Sequence, residues 1–407
     1  MDQKKLKLLF SLPVIVAALG YFVDIYDLLL FSIVRISSLS SLGVPQDQLF
    51  EKGEYLLRMQ MTGLLLGGVI WGVMGDKRGR LSVLFGSILL YSVANIANGF
   101  VTTVDQYAWL RLIAGIGLAG ELGAGITLVS ETLPTNLRGY ATAIVASVGL
   151  MGAVMANLVS KVSDWHMAYF IGGGLGLVLL LARISVFESG IFLKTMQKNI
   201  ERGNFFQLFQ KKTRLKKFLG CIFIGLPIWF VIGILISFSP EFAGVLGIEG
   251  TVIVGDAVMF SYMGLAVGDL ISGFLSQILR SRKKIVSIYV SLTFLFVLFF
   301  LFSPFKSLTV FYGICFLLGV GVGYWALFVT IAAEQFGTNL RSTVTTFVPN
   351  IIRGSLIPIT FGFKYLRDTL GVVQGALIIA VITTIIAFIA LRAVDETFGR
   401  DLNFEEE

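Results

Sequence analysis

The sequence predicts an all-α, polytopic membrane protein with twelve transmembrane helices in two pseudo-symmetric six-helix bundles. Three observations predict it: an apolar composition, twelve apolar runs of membrane-spanning length, and an internal repeat. The 407 residues are 56% hydrophobic and only 14% charged, with a mean hydropathy of +0.86. Soluble domains carry roughly 25% charged residues, and a chain this apolar cannot cover a water-facing surface. That excludes an ordinary cytosolic enzyme, a secreted domain and a disordered regulator. Thirty-five Phe and 45 Gly against 8 Pro and one His fit packed helices in lipid.

A membrane helix needs about 20 apolar residues. The candidate runs lie near 9–34, 55–74, 81–100, 106–130, 138–160, 166–187, 218–239, 251–278, 284–303, 308–331, 341–363 and 371–394. Strands of a closed barrel would alternate apolar and polar residues, and runs such as Val290–Phe302 do not. Lys4, Lys5 and Lys7 before the first run mimic a signal peptide, but that run continues through Asp24 and Asp27 to Val34. It is too long and too polar for a cleaved leader.

Placing the N-terminus in the cytoplasm puts 23 of the 32 Lys and Arg on the cytoplasmic side, as the positive-inside rule requires. An even number of spans leaves both termini there. The longest polar stretch, 188–217, divides the chain into an N-terminal bundle (1–187) and a C-terminal bundle with a short tail (218–407). This linker is rich in Lys and Arg, which favours contact with anionic lipid heads. Its basic charge is explained by membrane topology, and no nucleic-acid partner is expected. A monomer in the lipid bilayer, binding a small-molecule substrate, is the expected assembly.

The two halves echo each other. Glu131-Thr-Leu-Pro-Thr-Asn-Leu-Arg138 recurs 203 residues later as Glu334-Gln-Phe-Gly-Thr-Asn-Leu-Arg341. Gly72-Val-Met-Gly-Asp76-Lys-Arg-Gly79-Arg80 parallels a segment running from Gly273 through Gln277 to Arg282, at an offset of 201. Parallel duplicated halves around a central site are a recurrent transporter plan.

Charges within spans are expensive and need a reason. Asp24 and Asp27 are three residues apart and share a helix face. A buried carboxylate takes up a proton readily, and a nearby guanidinium reverses that. Arg111, in span four, is the candidate partner. Asp27 then acts as proton carrier with Arg111 as its switch, or the group is a static ion pair that orients helices. Glu121 lies about 15 Å further along the same helix than Arg111. It either lines the cavity and binds substrate or bridges to a neighbouring span. Asp269 and Arg353 either pair across the second half, or Arg353 binds a substrate carboxylate, for which a guanidinium fork is suited. Tyr26, Trp229, Tyr262, Tyr324 and Trp325 are candidate cavity aromatics. Asp76 with Arg80, Glu131 with Arg138, and Glu334 with Arg341 are candidate cytoplasmic latches. Glycines crowd span four (Gly115 to Gly125) and span ten (Gly319 to Gly323), where small residues let helices approach closely.

Other chemistries lack residues to carry them. Cys221 and Cys315 sit inside apolar runs and exclude a disulfide framework or a Cys-based metal site. His166, the single His, reads as an interface residue. No metal site, no cofactor and no enzymatic activity are expected. The Gly115–Gly120 run has no preceding strand and is no dinucleotide loop.

These motifs resemble those of the major facilitator superfamily over essentially the whole chain. Gly72…Asp76-Lys77-Arg78-Gly79-Arg80 resembles its loop motif between spans two and three. Arg111…Gly115…Gly117, then Glu131, Pro134, Arg138 and Gly139, are similar to the sugar-porter and metabolite–proton symporter branches. So is Phe187-Glu188-Ser189-Gly190. Glu396-Thr-Phe-Gly-Arg400 is similar to the sugar-porter tail, and Gly20…Asp24-Ile-Tyr-Asp27 to the first-span acidic motif of metabolite–proton symporters. Leu226-Pro-Ile-Trp-Phe230 stands where hexose porters have paired Gln, and Gln277 stands where the loop motif has Asp.

The resemblance implies alternating access driven by a proton gradient, with a first-span Asp paired to Arg111. It also implies that the loop motifs latch the outward-facing state. The expected function is uptake of a small organic anion or zwitterion, such as a carboxylate, amino acid or osmolyte. Alternatives are a sugar or polyol transporter, or a transporter-like nutrient receptor that moves nothing. A bacterial inner membrane is the expected location.

Overall fold

The computed structural model describes residues 3–134, 136–185, 187–196 and 202–406. Among them, eleven helices are long and apolar enough to cross a membrane: Leu6–Ser41, Tyr55–Arg78, Arg80–Asn98, Val104–Thr132, Arg138–Val162, Trp165–Ala182, Lys212–Ile236, Val254–Ile278, Arg282–Phe302, Leu308–Gln335 and Val372–Ala393. Each overlaps a run predicted from sequence. The predicted run 341–363 is the exception. It is two helices, Arg341–Gly354 and Leu356–Leu370, meeting at Ser355. Arg341, Pro349, Asn350, Arg353 and a series of Thr and Ser make the first of these too polar to count as a lipid-facing span. Nearly all its residues are buried instead against other helices. It is numbered here as span eleven, and Val372–Ala393 as span twelve.

Local chemistry sets the boundaries. Thr103, Asp164 and Ser281 precede helices and accept from the amides of Gln106, Met167 and Lys284, which satisfies donors the helix leaves open. Spans two and three are joined by Gly79 alone, at φ +98°. A side chain there would be strained and would run into Glu188.

The duplication is visible in the packing. A Cβ on Gly63 or Gly115 would strike the backbone of the other's helix, locking spans two and four together. Gly264 and Gly319 do the same for spans eight and ten. Between the two sets of spans, Thr127 meets Thr345 at 2.7 Å, and Thr330 donates to Thr142 at 3.1 Å. Each threonine has its counterpart 203 positions away, so the seam has an approximate two-fold character.

Within the linker, Gly190–Met196 and Gln207–Gln210 are helical, and Lys212 already opens span seven. Residues 197–201 lie outside the described residues. The amide of Gly203 donates to Asn339 O at 2.8 Å, pinning the linker to the loop before span eleven. The end of the molecule that carries this contact is called the linker end below.

Candidate transport site

A cavity of about 20 Å³ lies at the centre, walled by spans one, five, seven, eight, ten and eleven. That is room for about one water. Two helix breaks shape it. Span seven is interrupted at Ile224–Gly225 and then runs through a π-helical turn, Val231–Ile236, in which Ser237 N reaches Ile232 O. Span ten is interrupted between Gly321 and Trp325. Such discontinuities are tolerated in a membrane where the backbone is buried in protein or lines a cavity. They set Trp229 and Trp325 on the wall with ring centroids 6.3 Å apart.

Arg353 closes the wall from span eleven. Its guanidinium lies over the Trp325 ring at 5.6 Å, and Nη1 donates to Asn350 Oδ1 at 3.3 Å. Nε is buried and has no hydrogen-bond partner among the described residues. Trp325 Nε1 donates to Tyr21 OH at 2.9 Å, tying the two sets of spans together. Tyr262 and Tyr21 complete the polar part of the lining. The charge of Arg353 acts on Asp24, Tyr21 and Tyr262.

Asp24 and Asp27 are fully buried, and none of their carboxylate oxygens meets a partner of good hydrogen-bond geometry. Arg111 and Asp27 interact electrostatically but form no direct ion pair. Arg111 Nη2 instead donates to Asn95 Oδ1 at 2.8 Å, and Nη1 to Tyr169 OH at 3.4 Å. Asn95 is the polar side chain that lies beside Asp27. Tyr169 and Tyr107 hydroxyls are 2.6 Å apart, extending the network toward Ser38.

The other candidates lie elsewhere. Glu121 pairs with Arg183 at 2.5 Å and accepts from Ser87 at 2.8 Å, bridging spans three, four and six. Asp269 accepts from the amide of Ala326 at 3.0 Å, at the start of the second half of span ten, and is not paired with Arg353. Tyr26 OH donates to Ala168 O and Tyr324 OH to Ile224 O. Both hydroxyls stitch helices together outside the cavity lining. His166 stacks on Trp165 and is part-exposed at the end opposite the linker.

At the linker end the latch residues form one buried network. Asp76 accepts from the amides of Ser342 and Thr343 at 2.9 and 2.8 Å, capping the start of span eleven. Glu131 takes Arg80 at 2.8 Å and, from the other set of spans, Arg341 at 2.7 Å. Arg80 is also 3.7 Å from Asp76. The second copy of the motif is built differently. Glu334 pairs with Arg282 at 3.3 Å, not with Arg341, and accepts from Thr397 at 2.7 Å. Arg138 donates to Arg400 O at 3.0 Å, not to Glu131. Gln277, oriented with its carbonyl inward, accepts from Gly139 N at 2.8 Å and from Arg282 Nη1 at 3.1 Å. Thus Gln277 does for span five what Asp76 does for span eleven, without the charge. Nearby, Glu188 accepts from the amides of Leu81 and Ser189, and burial pushes its carboxyl above the usual range.

At the opposite end, Asp256 pairs with Lys161 at 2.7 Å and accepts from Asn157 at 3.3 Å. The two sets of spans are therefore bridged at both ends, with the cavity between them.

The sequence profile of the Major Facilitator Superfamily matches residues 18–356. The chain belongs to that superfamily. It is similar to the sialic acid transporter NanX of Escherichia coli, with 28% identity over 82% of each chain. It is also similar to a probable 4-methylmuconolactone transporter of Cupriavidus pinatubonensis, with 23% identity over 93% of this chain and 89% of that one. The 3-(3-hydroxy-phenyl)propionate transporter of Escherichia coli is 26% identical over 63% of this chain and 64% of that one. Among solved structures, the proton:xylose symporter XylE matches with a TM-score of 0.74 over 98% of both chains at 15% identity, a likeness of fold. As a member of the Major Facilitator Superfamily, the protein is an integral membrane transporter and not an enzyme.

Proposed function

We propose that the protein is a proton-coupled importer of a small organic anion, working as a monomer by alternating access between its two six-span bundles (residues 1–187 and 218–407, joined by 188–217). The linker end, with both chain termini, faces the cytoplasm of a bacterial inner membrane. The observation that carries the substrate class is Arg353. It places a buried guanidinium on the cavity wall, packed on Trp325, with Asn350 as its hydrogen-bonding neighbour. A charge at this depth is costly; Arg353 interacts with Asp24 at a distance but its Nε has no hydrogen-bond partner among the described residues, and a carboxylate on the solute can supply one. Trp229, Trp325, Tyr21 and Tyr262 supply apolar faces and a few hydroxyls beside it. The names of the relatives point the same way, since sialic acid and 3-(3-hydroxy-phenyl)propionate carry carboxylates.

In this reading Asp27 takes the proton. Protonation removes its attraction for Arg111, whose guanidinium remains held by Asn95 and Tyr169. Neutralising the carboxylate lowers the cost of enclosing it together with the solute and so permits closure, and the proton is released on the cytoplasmic side before the empty carrier returns. Asp24, which feels both Arg353 and Glu121, links the solute's charge to the proton site.

The test is uptake into proteoliposomes with a pH gradient, across a panel of acids, zwitterions, sugars and polyols. Accumulation of a carboxylate that collapses with the gradient is the expected result. Asp27→Asn should keep exchange and lose gradient-driven accumulation. Uptake of sugars alone, or binding of acids with no flux, would overturn the reading.

A further inference from the structure

A second cavity, of about 260 Å³, opens at the linker end between the start of span seven and the C-terminal segment. Among the described residues its walls are Lys211, Thr213, Arg214, Lys217, Phe336 and Glu406, three cations against one carboxylate. Arg214 is buried and held by Glu406 at 3.2 Å and by Gln207 O at 2.7 Å. Lys217 reaches Asp395 at 2.7 Å, a part-exposed pair of the kind that contributes little. Lys211 is exposed.

The position matters as much as the charge. The helix Lys212–Phe223 is basic up to Lys217 and apolar from Phe218 onward. The cations therefore stand where a bilayer gives way to its headgroups. Basic pockets at this depth suit phosphate-bearing headgroups.

The carboxylate in the wall is the movable part. Glu406 belongs to a strap that lies along the loop carrying Arg341. Its amide donates to Asn339 Oδ1, and its carbonyl accepts from Asn339 Nδ2, both at 2.9 Å. Phe404 O accepts from Thr338 N at 2.8 Å, and Leu402 O from Arg341 Nη2 at 2.6 Å. An anion that reaches Arg214 displaces Glu406 from it, and repulsion within the cavity drives the strap off.

We infer that this cavity is a binding site for a phosphate-bearing anion, which competes with Glu406 for Arg214 and so releases the 402–406 strap from Arg341. The ligand is a phospholipid headgroup or free phosphate. The inference needs only that the chain spans a membrane, and it stands apart from the substrate proposed above.

Full-length protein in nanodiscs tests it by hydrogen exchange at the amides of Thr338 and Glu406. The bilayer is phosphatidylcholine alone, phosphatidylcholine with inorganic phosphate in solution, or a mixture with phosphatidylglycerol. Faster exchange only with phosphatidylglycerol assigns the site to lipid, and faster exchange with dissolved phosphate assigns it to the free ion. Lys211→Gln with Lys217→Gln should weaken the effective ligand by about tenfold or more, since each Lys near the surface is worth about 1 kcal/mol. Glu406→Gln, which removes the competing charge, should bind the anion more tightly. Exchange that is the same in all three settings, or the same response from the double Lys variant as from wild type, overturns the inference.

Discussion

Glu131 Oε1 lies 2.7 Å from Arg341 Nη1, and the two residues come from opposite sets of spans. The same oxygen is 2.8 Å from Arg80 Nη2. One buried carboxylate thus compensates two buried guanidiniums at the seam, which in the proposed cycle opens for solute to leave at the linker end. Breaking a buried pair leaves an uncompensated charge, at a cost of about 3–5 kcal/mol. Glu131→Gln is expected to shift the protein toward a conformation open at the linker end. A cysteine placed at Thr127, which meets Thr345 across the seam, should then react faster with a thiol reagent. Equal labelling rates with and without the substitution would count against this role.

The asymmetry between Asp76 and Gln277 gives a second expectation. Each caps the start of a helix across the seam, but only Asp76 brings charge. Gln277→Asp brings a negative charge toward Arg282, whose Nη1 the Gln277 carbonyl meets at 3.1 Å, and should strengthen closure at the linker end. Slower turnover with a higher melting temperature is the expected pair of readings. Asp76→Ala should lower the melting temperature, with the loss of the cap on Ser342 and Thr343 costing about 0.5–2 kcal/mol.

Arg353 supplies the clearest test of substrate chemistry. Charge-assisted hydrogen bonds contribute about 1.5–3 kcal/mol, so Arg353→Gln should weaken binding of an acid by about 10- to 100-fold. Arg353→Lys keeps the charge but loses the planar stack on Trp325, and should fall between the two. Titration calorimetry on the purified variants reads this directly. Unchanged affinity in Arg353→Gln would place the recognising cation elsewhere.

Outside the spans, Glu396 gives a pH signature. Burial alone raises its pKa, but the Ser281 hydroxyl and the amides of Arg282, Phe398 and Lys283 outweigh that and hold it below its ordinary 4.5. A carboxyl depressed in the folded state stabilises the protein above its unfolded pKa. That contribution disappears as pH falls from 4.5 through the lower folded value. Thermal unfolding at a series of acidic pH values should show this loss in the wild type and a flatter response in Glu396→Gln.

Much of the architecture was legible because it is written in local patterns. Apolar run length marked the spans, and the repeat of Glu131 and Arg138 as Glu334 and Arg341 marked the duplication. Pairing was not legible. Arg183 compensates Glu121 from 62 positions away, and Arg341 reaches Glu131 across 210. No spacing rule connects such residues, because helix packing alone brings them together. Arg183 did carry a signal, as a cation at the end of the apolar span Trp165–Ala182, but it read as one more positive charge near the cytoplasm. Asn95 was invisible for another reason. A neutral amide in a span is unremarkable in sequence, and its place between Arg111 and Asp27 appears only in three dimensions. Span eleven was read as one apolar run, 341–363, although Gly354 before Ser355 and Pro358 after it mark the break between its two helices.

The central cavity has room for about one water, so no metabolite fits it as it stands. Reaching a loaded state requires the bundles to part, and the space that opens fills with solvent before the solute arrives. Most of that solvent must leave again before the far side can open. In the proposed cycle, then, water moves in and out with the cargo, and turnover should depend on the hydration of the surroundings.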